Sequence, residues 1–180
     1  LIELLLSLSL GSMLFVVLLQ LIGADLRLGN SMASRLRESA QQRQTLELIR
    51  GELAIGSGWE VDPTPSHQWT CGMAGRQPVL AIGLDSRNSQ ASTQTIVYSV
   101  GAAPSAIWRG QVLMRCGPAY GLDGVIRPEG KAQNRVLIDG LPKEGLGFQA
   151  RQDAHSRVLH LELEQESLAG SSRLRSAAVF

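Results

Sequence analysis

The sequence predicts an α+β protein in which one long N-terminal α-helix, half transmembrane and half amphipathic, leads into a mainly antiparallel β globular domain. Three observations carry that prediction. Residues 1–24 are apolar with few breaks, residues 25–55 repeat apolar side chains at helical spacing, and beyond residue 60 the repeat changes to the alternation of strands. The expected domains are the helix over 1–56 and a β-rich domain over 57–180.

Between Glu3 and Asp25 there is no charged residue, and the interruptions are Ser7, Ser9, Gly11, Ser12, Gln20 and Gly23. At a rise of about 1.5 Å per residue, about 20 such residues cross a ~30 Å hydrocarbon layer, which places the expected membrane span at about 4–24. A secretory signal peptide would open on basic residues and carry a shorter apolar core, so a retained single-pass helix is the better expectation.

After Asp25 the apolar residues Met32, Leu36, Leu46, Ile49 and Leu53 are spaced by threes, fours or their sums, with Arg35, Arg37, Glu38, Arg43, Glu47 and Arg50 between them. That pattern describes a helix with one apolar stripe. No proline occurs before Pro63, so a single helix is expected to run to about residue 55. A helix of that length needs partners along it, because helices gain most of their stability from packing. In IGSGWEVDPTP, Gly56 or Gly58 is expected to close the helix in the left-handed conformation, and Pro63 and Pro65 prevent it from resuming.

The remainder alternates. In VLHLELE (158–164), Leu159, Leu161 and Leu163 take one face and His160, Glu162 and Glu164 the other, the pattern of a half-buried antiparallel strand. Further strands are expected at 78–84, 94–100, 107–116, 135–140, 146–150 and 172–180. The turn-rich stretches DSRNSQAS, GPAYGLDG and RPEGKAQN separate several of them. Six or seven strands result.

No constellation in the β region specifies chemistry. There is no HExxH and no paired CxxC for zinc. His67 and Cys71 sit in a proline-flanked loop, SHQWTCG, with nothing to align them as base and nucleophile. His155 and His160 are five apart, so one strand face does not carry both. Asp62, Asp85, Asp123 and Asp139 are scattered among turns, too far apart for a calcium loop, and GMAG and GLG lack the parallel βαβ setting of a phosphate-binding loop. The expectation is no enzyme, no metal and no cofactor. A net charge of +1 and 4% aromatic residues give neither the field nor the stacking surface that argues for nucleic acid. The two cysteines, Cys71 and Cys116, form an even pair in a domain attached to an export-type anchor, which predicts one disulfide on the oxidising side of the membrane.

Glu3 is the anomaly. A carboxylate at the edge of an apolar layer is expensive unless it is paired, protonated or at the interface, so it is a functional candidate by default. LIELLLSLSLGSMLF resembles the N-terminal segment of type IV pilins and type II secretion pseudopilins, whose mature chains run Leu-Ile-Glu-Leu-Leu after an aromatic and a small polar residue. TLELIRGELAIGSGW, the Cys-Gly pairs and VLIDGLPKEGLGFQARQ followed by RVLHLELE are similar to larger minor pilins and J-type minor pseudopilins.

The resemblance implies that Leu1 is the third residue of the mature chain, after two residues and a short basic leader. It implies cleavage by a prepilin peptidase, methylation of the new N-terminal amine, and pairing of Glu3 with the amine of a neighbouring subunit during assembly. Gly11 and Ser12 fall where pilin helices unwind in filaments, so they are candidates for helix flexibility. The expected partners are other pilins or pseudopilins in a filament and, before assembly, inner-membrane lipid. The expected location is the bacterial inner membrane with the C-terminal domain periplasmic, then a periplasmic or cell-surface filament. The alternative is a membrane-tethered ligand-binding module for adhesion or DNA uptake, in which the polar loops recognise DNA or a surface ligand.

Overall fold

The computed structural model describes residues 2–67, 69–85, 94–127, 130–143, 145, 147–155, 158–167 and 170–179. It describes the side chains of these residues except 4, 6, 22, 24–28, 30, 31, 167, 170–172 and 176–179. The fold is α+β. Among the described residues one helix, α1 (Ile2–Ile55), precedes eight strands: β1 (Gly58–Val61), β2 (Gln77–Leu84), β3 (Gln94–Ala102), β4 (Gln111–Pro118), β5 (Ala132–Leu141), β6 (Phe148–Gln152), β7 (Val158–Ser167) and β8 (Gly170–Val179). The chain forms two compact units, Leu1–Glu38 and Ser39–Phe180.

In the first unit α1 is helical throughout, and its apolar side chains Leu8, Leu10 and Met13 through Leu19 are exposed. Among the described residues no helix is long and apolar enough to cross a membrane. The span expected at 4–24 includes the side chains of Leu4, Leu6, Ile22 and Ala24, which lie outside the described residues. The apolar stripe expected to run on from Asp25 does not hold together. Met32 and Leu36 are exposed, whereas Leu46, Ile49 and Leu53 are buried in the second unit.

The second unit contains two antiparallel meanders, a five-stranded sheet in the order β1-β2-β3-β4-β5 and a three-stranded sheet in the order β6-β7-β8. Consecutive antiparallel strands need only short connections, and the alternating sequence supplies one apolar face per strand. Leu46, Ile49 and Leu53 of α1 join Leu80, Ile82, Ile96, Tyr98, Leu113 and Ile138 of the first sheet in one core. Phe148, Leu159, Leu161 and Leu163 of the second sheet complete it. On the other face of the first sheet, Ala81, Val97 and Cys116 are covered by Trp69, Cys71 and Met73 from the loop after β1.

Several expected boundaries move. The packing boundary falls at Glu38/Ser39 rather than near residue 56, because the last four turns of α1 bury one face against the sheets. Neither Gly56 nor Gly58 adopts positive φ. Gly58 opens β1, a strand not anticipated inside the helix-ending segment. Gly56 serves close approach instead, since a Cβ there would stand 2.5 Å from Ile82 Cγ2. The strand expected to start at Ile107 starts at Gln111. Gly110 turns the chain at φ 59°, and a Cβ on it would lie 2.8 Å from the Leu141 carbonyl oxygen. Asp139, expected in a turn, lies in β5. Of the expected turns, 86–92, Pro128 and Glu129 lie outside the described residues, as do Leu146 and Phe180 at the bounds of two expected strands.

Candidate functional site

Glu3 lies in the first turn of α1 with its side chain exposed. Gly11 and Ser12, the candidates for flexibility, are both within the helix. Ser12 Oγ donates to the Ser9 carbonyl oxygen at 2.8 Å, and a Cβ on Gly11 would meet no atom within 4 Å. From Met13 to Leu19 every side chain is apolar and exposed. Seven consecutive residues cover two turns, so this stretch of the helix is apolar on all sides.

The second half of α1 is held differently. Its buried positions are Gln42, Thr45, Leu46, Ile49, Glu52 and Leu53, a 3.6-residue repeat in which three of six side chains are polar. Each polar one meets a partner. Thr45 Oγ1 donates back to the Gln41 carbonyl at 2.9 Å. Gln42 Nε2 donates to Gln165 Oε1 at 3.4 Å, and Gln165 Nε2 donates to the Asp139 carbonyl at 2.9 Å, so helix, β7 and β5 are tied in one chain of bonds. Beside it, Gln41 Nε2 donates to the Leu137 carbonyl at 3.3 Å.

Glu52 is the centre of the buried polar seam, with a side chain 0% exposed. Its Oε1 accepts from Arg115 Nε at 2.7 Å and from the Tyr120 hydroxyl at 2.5 Å, and its Oε2 accepts from the Tyr98 hydroxyl. The Arg115 guanidinium also lies 5.2 Å from the centroid of the Tyr120 ring, in cation–π contact. Burial, with the Glu52 carboxylate alongside, pushes the Tyr98 hydroxyl well above the ordinary tyrosine pKa. For Tyr120, burial and the hydrogen bond to Glu52 act in the same direction. A carboxylate whose two oxygens accept three hydrogen bonds inside a core anchors the helix to the strands and loop that supply them.

Cys71 and Cys116 form a disulfide, with Cα atoms 6.0 Å apart, between the loop after β1 and β4. The thiol considered beside His67 is therefore not available as a nucleophile. His155 and His160 are exposed, the latter on the outward face of β7 as the alternation predicts. Asp123 Oδ1 accepts from the Val125 amide at 3.2 Å. That bond, aided by Arg127, holds the Asp123 carboxyl below its usual range. Among the described residues no group of three or more His, Cys, Asp or Glu is placed to hold a metal ion.

The outward face of the three-stranded sheet carries a charge lattice. Arg173 reaches Glu162 at 3.1 Å and Glu164 at 2.5 Å, and Arg175 reaches Glu162 at 3.3 Å. Together with Gln149 and Arg151 these side chains line a shallow polar depression.

Comparison with known proteins adds no relative: no family model, no curated protein and no solved structure matches the chain.

Sequence reasoning singled out Glu3, Gly11, Ser12, Cys71 and Cys116, and the structure brings together only the two cysteines. It missed Glu52, Tyr98, Arg115 and Tyr120. The signal for Glu52 was present, since positions 42, 45, 46, 49, 52 and 53 form one helical face once polar residues are counted in it. Nothing local marks its partners, which lie 46, 63 and 68 residues further along the chain.

Proposed function

We propose that this chain is a structural minor subunit of a type IV pilus or a type II secretion pseudopilus. It is held in the inner membrane by the first part of α1 and later packs that helix among those of sibling subunits. The observation that carries the reading is the all-round apolar surface from Met13 to Leu19, preceded by the carboxylate of Glu3 in LIELLLSLSLGSMLF. A helix apolar on every side requires lipid or other helices around it. Glu3 adds a requirement that lipid alone does not meet, because a charge in a low-dielectric surrounding needs a counter-charge. Pairing with the N-terminal amine of a neighbouring subunit supplies one and selects a single axial register.

Two further features support an exported structural role. The disulfide suits an oxidising compartment, and the buried ties from Gln42 to Glu52 bind the second half of α1 firmly to the β domain. A load on the helix would thus be borne by the whole domain. The β domain, on this reading, faces outward and contacts other subunits, and prepilin peptidase processes the chain.

The test is Glu3→Ala in cells that assemble the filament. Membrane insertion should remain at the unsubstituted level, and incorporation into filaments, read by immunoblotting of sheared or cross-linked fibres, should be lost. Normal incorporation would overturn the pairing mechanism.

A further inference from the structure

We propose that the outward edge of β8 takes up an extended segment of a different protein subunit, adding it as a fourth strand whose carboxylates at alternate positions stand beside Arg173 and Arg175. β8 is ten residues long and is paired with β7 over its full length, from Val158↔Val179 to Ser167↔Gly170. Among the described residues no strand pairs with its other edge. An edge of that length presents a row of backbone donors and acceptors suited to strand addition. Carbonyls near the end of β5, the last strand of the five-stranded sheet, are by contrast occupied, at Leu137 by Gln41 and at Asp139 by Gln165.

The side chains specify the occupant. Across the sheet Glu162 is opposite Arg175, and Glu164 is opposite Arg173, so each row runs from negative on β7 to positive on β8. Opposite charges are favoured in directly facing positions, which makes acid the complementary residue on the next strand. The two arginines are two residues apart, the repeat of one strand face, so the incoming acids are at i and i+2. Leu174, between them on the opposite face, is half-buried against the core, and an apolar residue on the added strand would extend that contact. The recognised pattern is therefore acid-apolar-acid.

The cations of this face are Arg151, Arg173 and Arg175 and its carboxylates Glu162, Glu164 and Glu166, and both arginines of β8 stand on the strand at the open edge, with the acids behind them on β7. A second copy of β8 is the wrong partner. Antiparallel self-pairing centred on Leu174 sets Arg173 against Arg175 twice, and like charges in facing positions are destabilising. The proposal does not rest on the filament reading, because it concerns only the strand edge and is tested without filaments.

The experiment uses the full chain in detergent micelles and two labelled peptides, TVEVEVT and TVKVKVT, with binding read by fluorescence anisotropy and β8 followed by amide hydrogen exchange. The glutamate peptide should bind in preference to the lysine peptide and should slow exchange in β8. The double variant Arg173→Glu, Arg175→Glu should weaken the glutamate peptide by about tenfold or more, as expected for two reversed cross-strand pairs, and should gain affinity for the lysine peptide. That gain requires a folded variant, so it separates altered recognition from misfolding. The proposal is overturned if neither peptide binds, if both bind equally, if binding leaves β8 exchange unchanged, or if a folded double variant keeps the original preference.

Discussion

Three hydrogen bonds converge on the Glu52 carboxylate, from Arg115, Tyr120 and Tyr98. Removing the carboxylate leaves the Arg115 guanidinium, 5% exposed, as an uncompensated charge in the core. Breaking a buried pair in this way costs about 3–5 kcal/mol, so Glu52→Ala should lower the urea midpoint by a corresponding amount or prevent folding. Joint replacement of Glu52 and Arg115 by Leu and Met should cost markedly less than Glu52→Ala, because no charge is stranded. Equal losses would show that packing, not charge, holds the site.

The same cluster sets an alkaline limit. Tyr98 and Tyr120 have folded pKa values above the unfolded value of about 10. Above that value the unfolded chain releases their protons while the folded one keeps them. The unfolded state then binds fewer protons, and stability falls as pH rises. Their contribution is intact below about pH 10 and should decline above it. Tyr98→Phe should flatten that decline in urea titrations at pH 9 to 11, and an unchanged slope would place the titration elsewhere.

At the scale of elements, the last four turns of α1 belong to the β domain as fully as any strand. Leu46, Ile49 and Leu53 are each at most 3% exposed, and full burial of such a side chain contributes about 1.5–3 kcal/mol. A fragment beginning at Ser39 keeps this face and the Gln42 and Glu52 bonds, and it should unfold cooperatively. A fragment beginning at Ser57 loses them all, exposes the apolar face of both sheets, and should bind a hydrophobic dye without a cooperative transition. Cooperative unfolding of the shorter fragment would mean that the helix only decorates the sheets. The disulfide is the other inter-element tie. It closes a separation of 45 residues, which corresponds to about 4 kcal/mol in the chain-entropy account. Reduction, or Cys71→Ser with Cys116→Ser, should therefore lower stability by up to that amount, as read by urea unfolding with and without reductant.

Taken whole, the molecule divides between residues that need surroundings of their own kind and residues that find partners within the chain. The first part of α1 is apolar and exposed on every side from Met13 to Leu19. That property is local, a matter of which side chains follow one another, and it was legible from the sequence alone. So were the α+β class, the end of the helix near residue 55 and the alternation of Leu159, Leu161 and Leu163, because periods of 3.6 and 2 act through near neighbours. The pairing of Cys71 with Cys116 was legible only by count, there being two cysteines and one way to join them. Which face of the helix is buried was decided by the tertiary structure. The apolar count extended the stripe to Met32 and Leu36, which are exposed, and passed over Gln42, Thr45 and Glu52, which are buried. A polar side chain enters a core where a partner satisfies it; Thr45 finds one a turn away, but the spacing of nearby residues does not encode Arg115, Tyr98, Tyr120 or Gln165, the partners of Glu52 and Gln42. Likewise the alternation in VLHLELE and SRLRS marks two strands, but only their register sets Glu162 against Arg175 and Glu164 against Arg173 and leaves the outer edge of β8 without a partner strand among the described residues. Local periodicity determined the elements; the seam that anchors the helix and the charge rows on the sheet came from contacts between residues far apart in the chain.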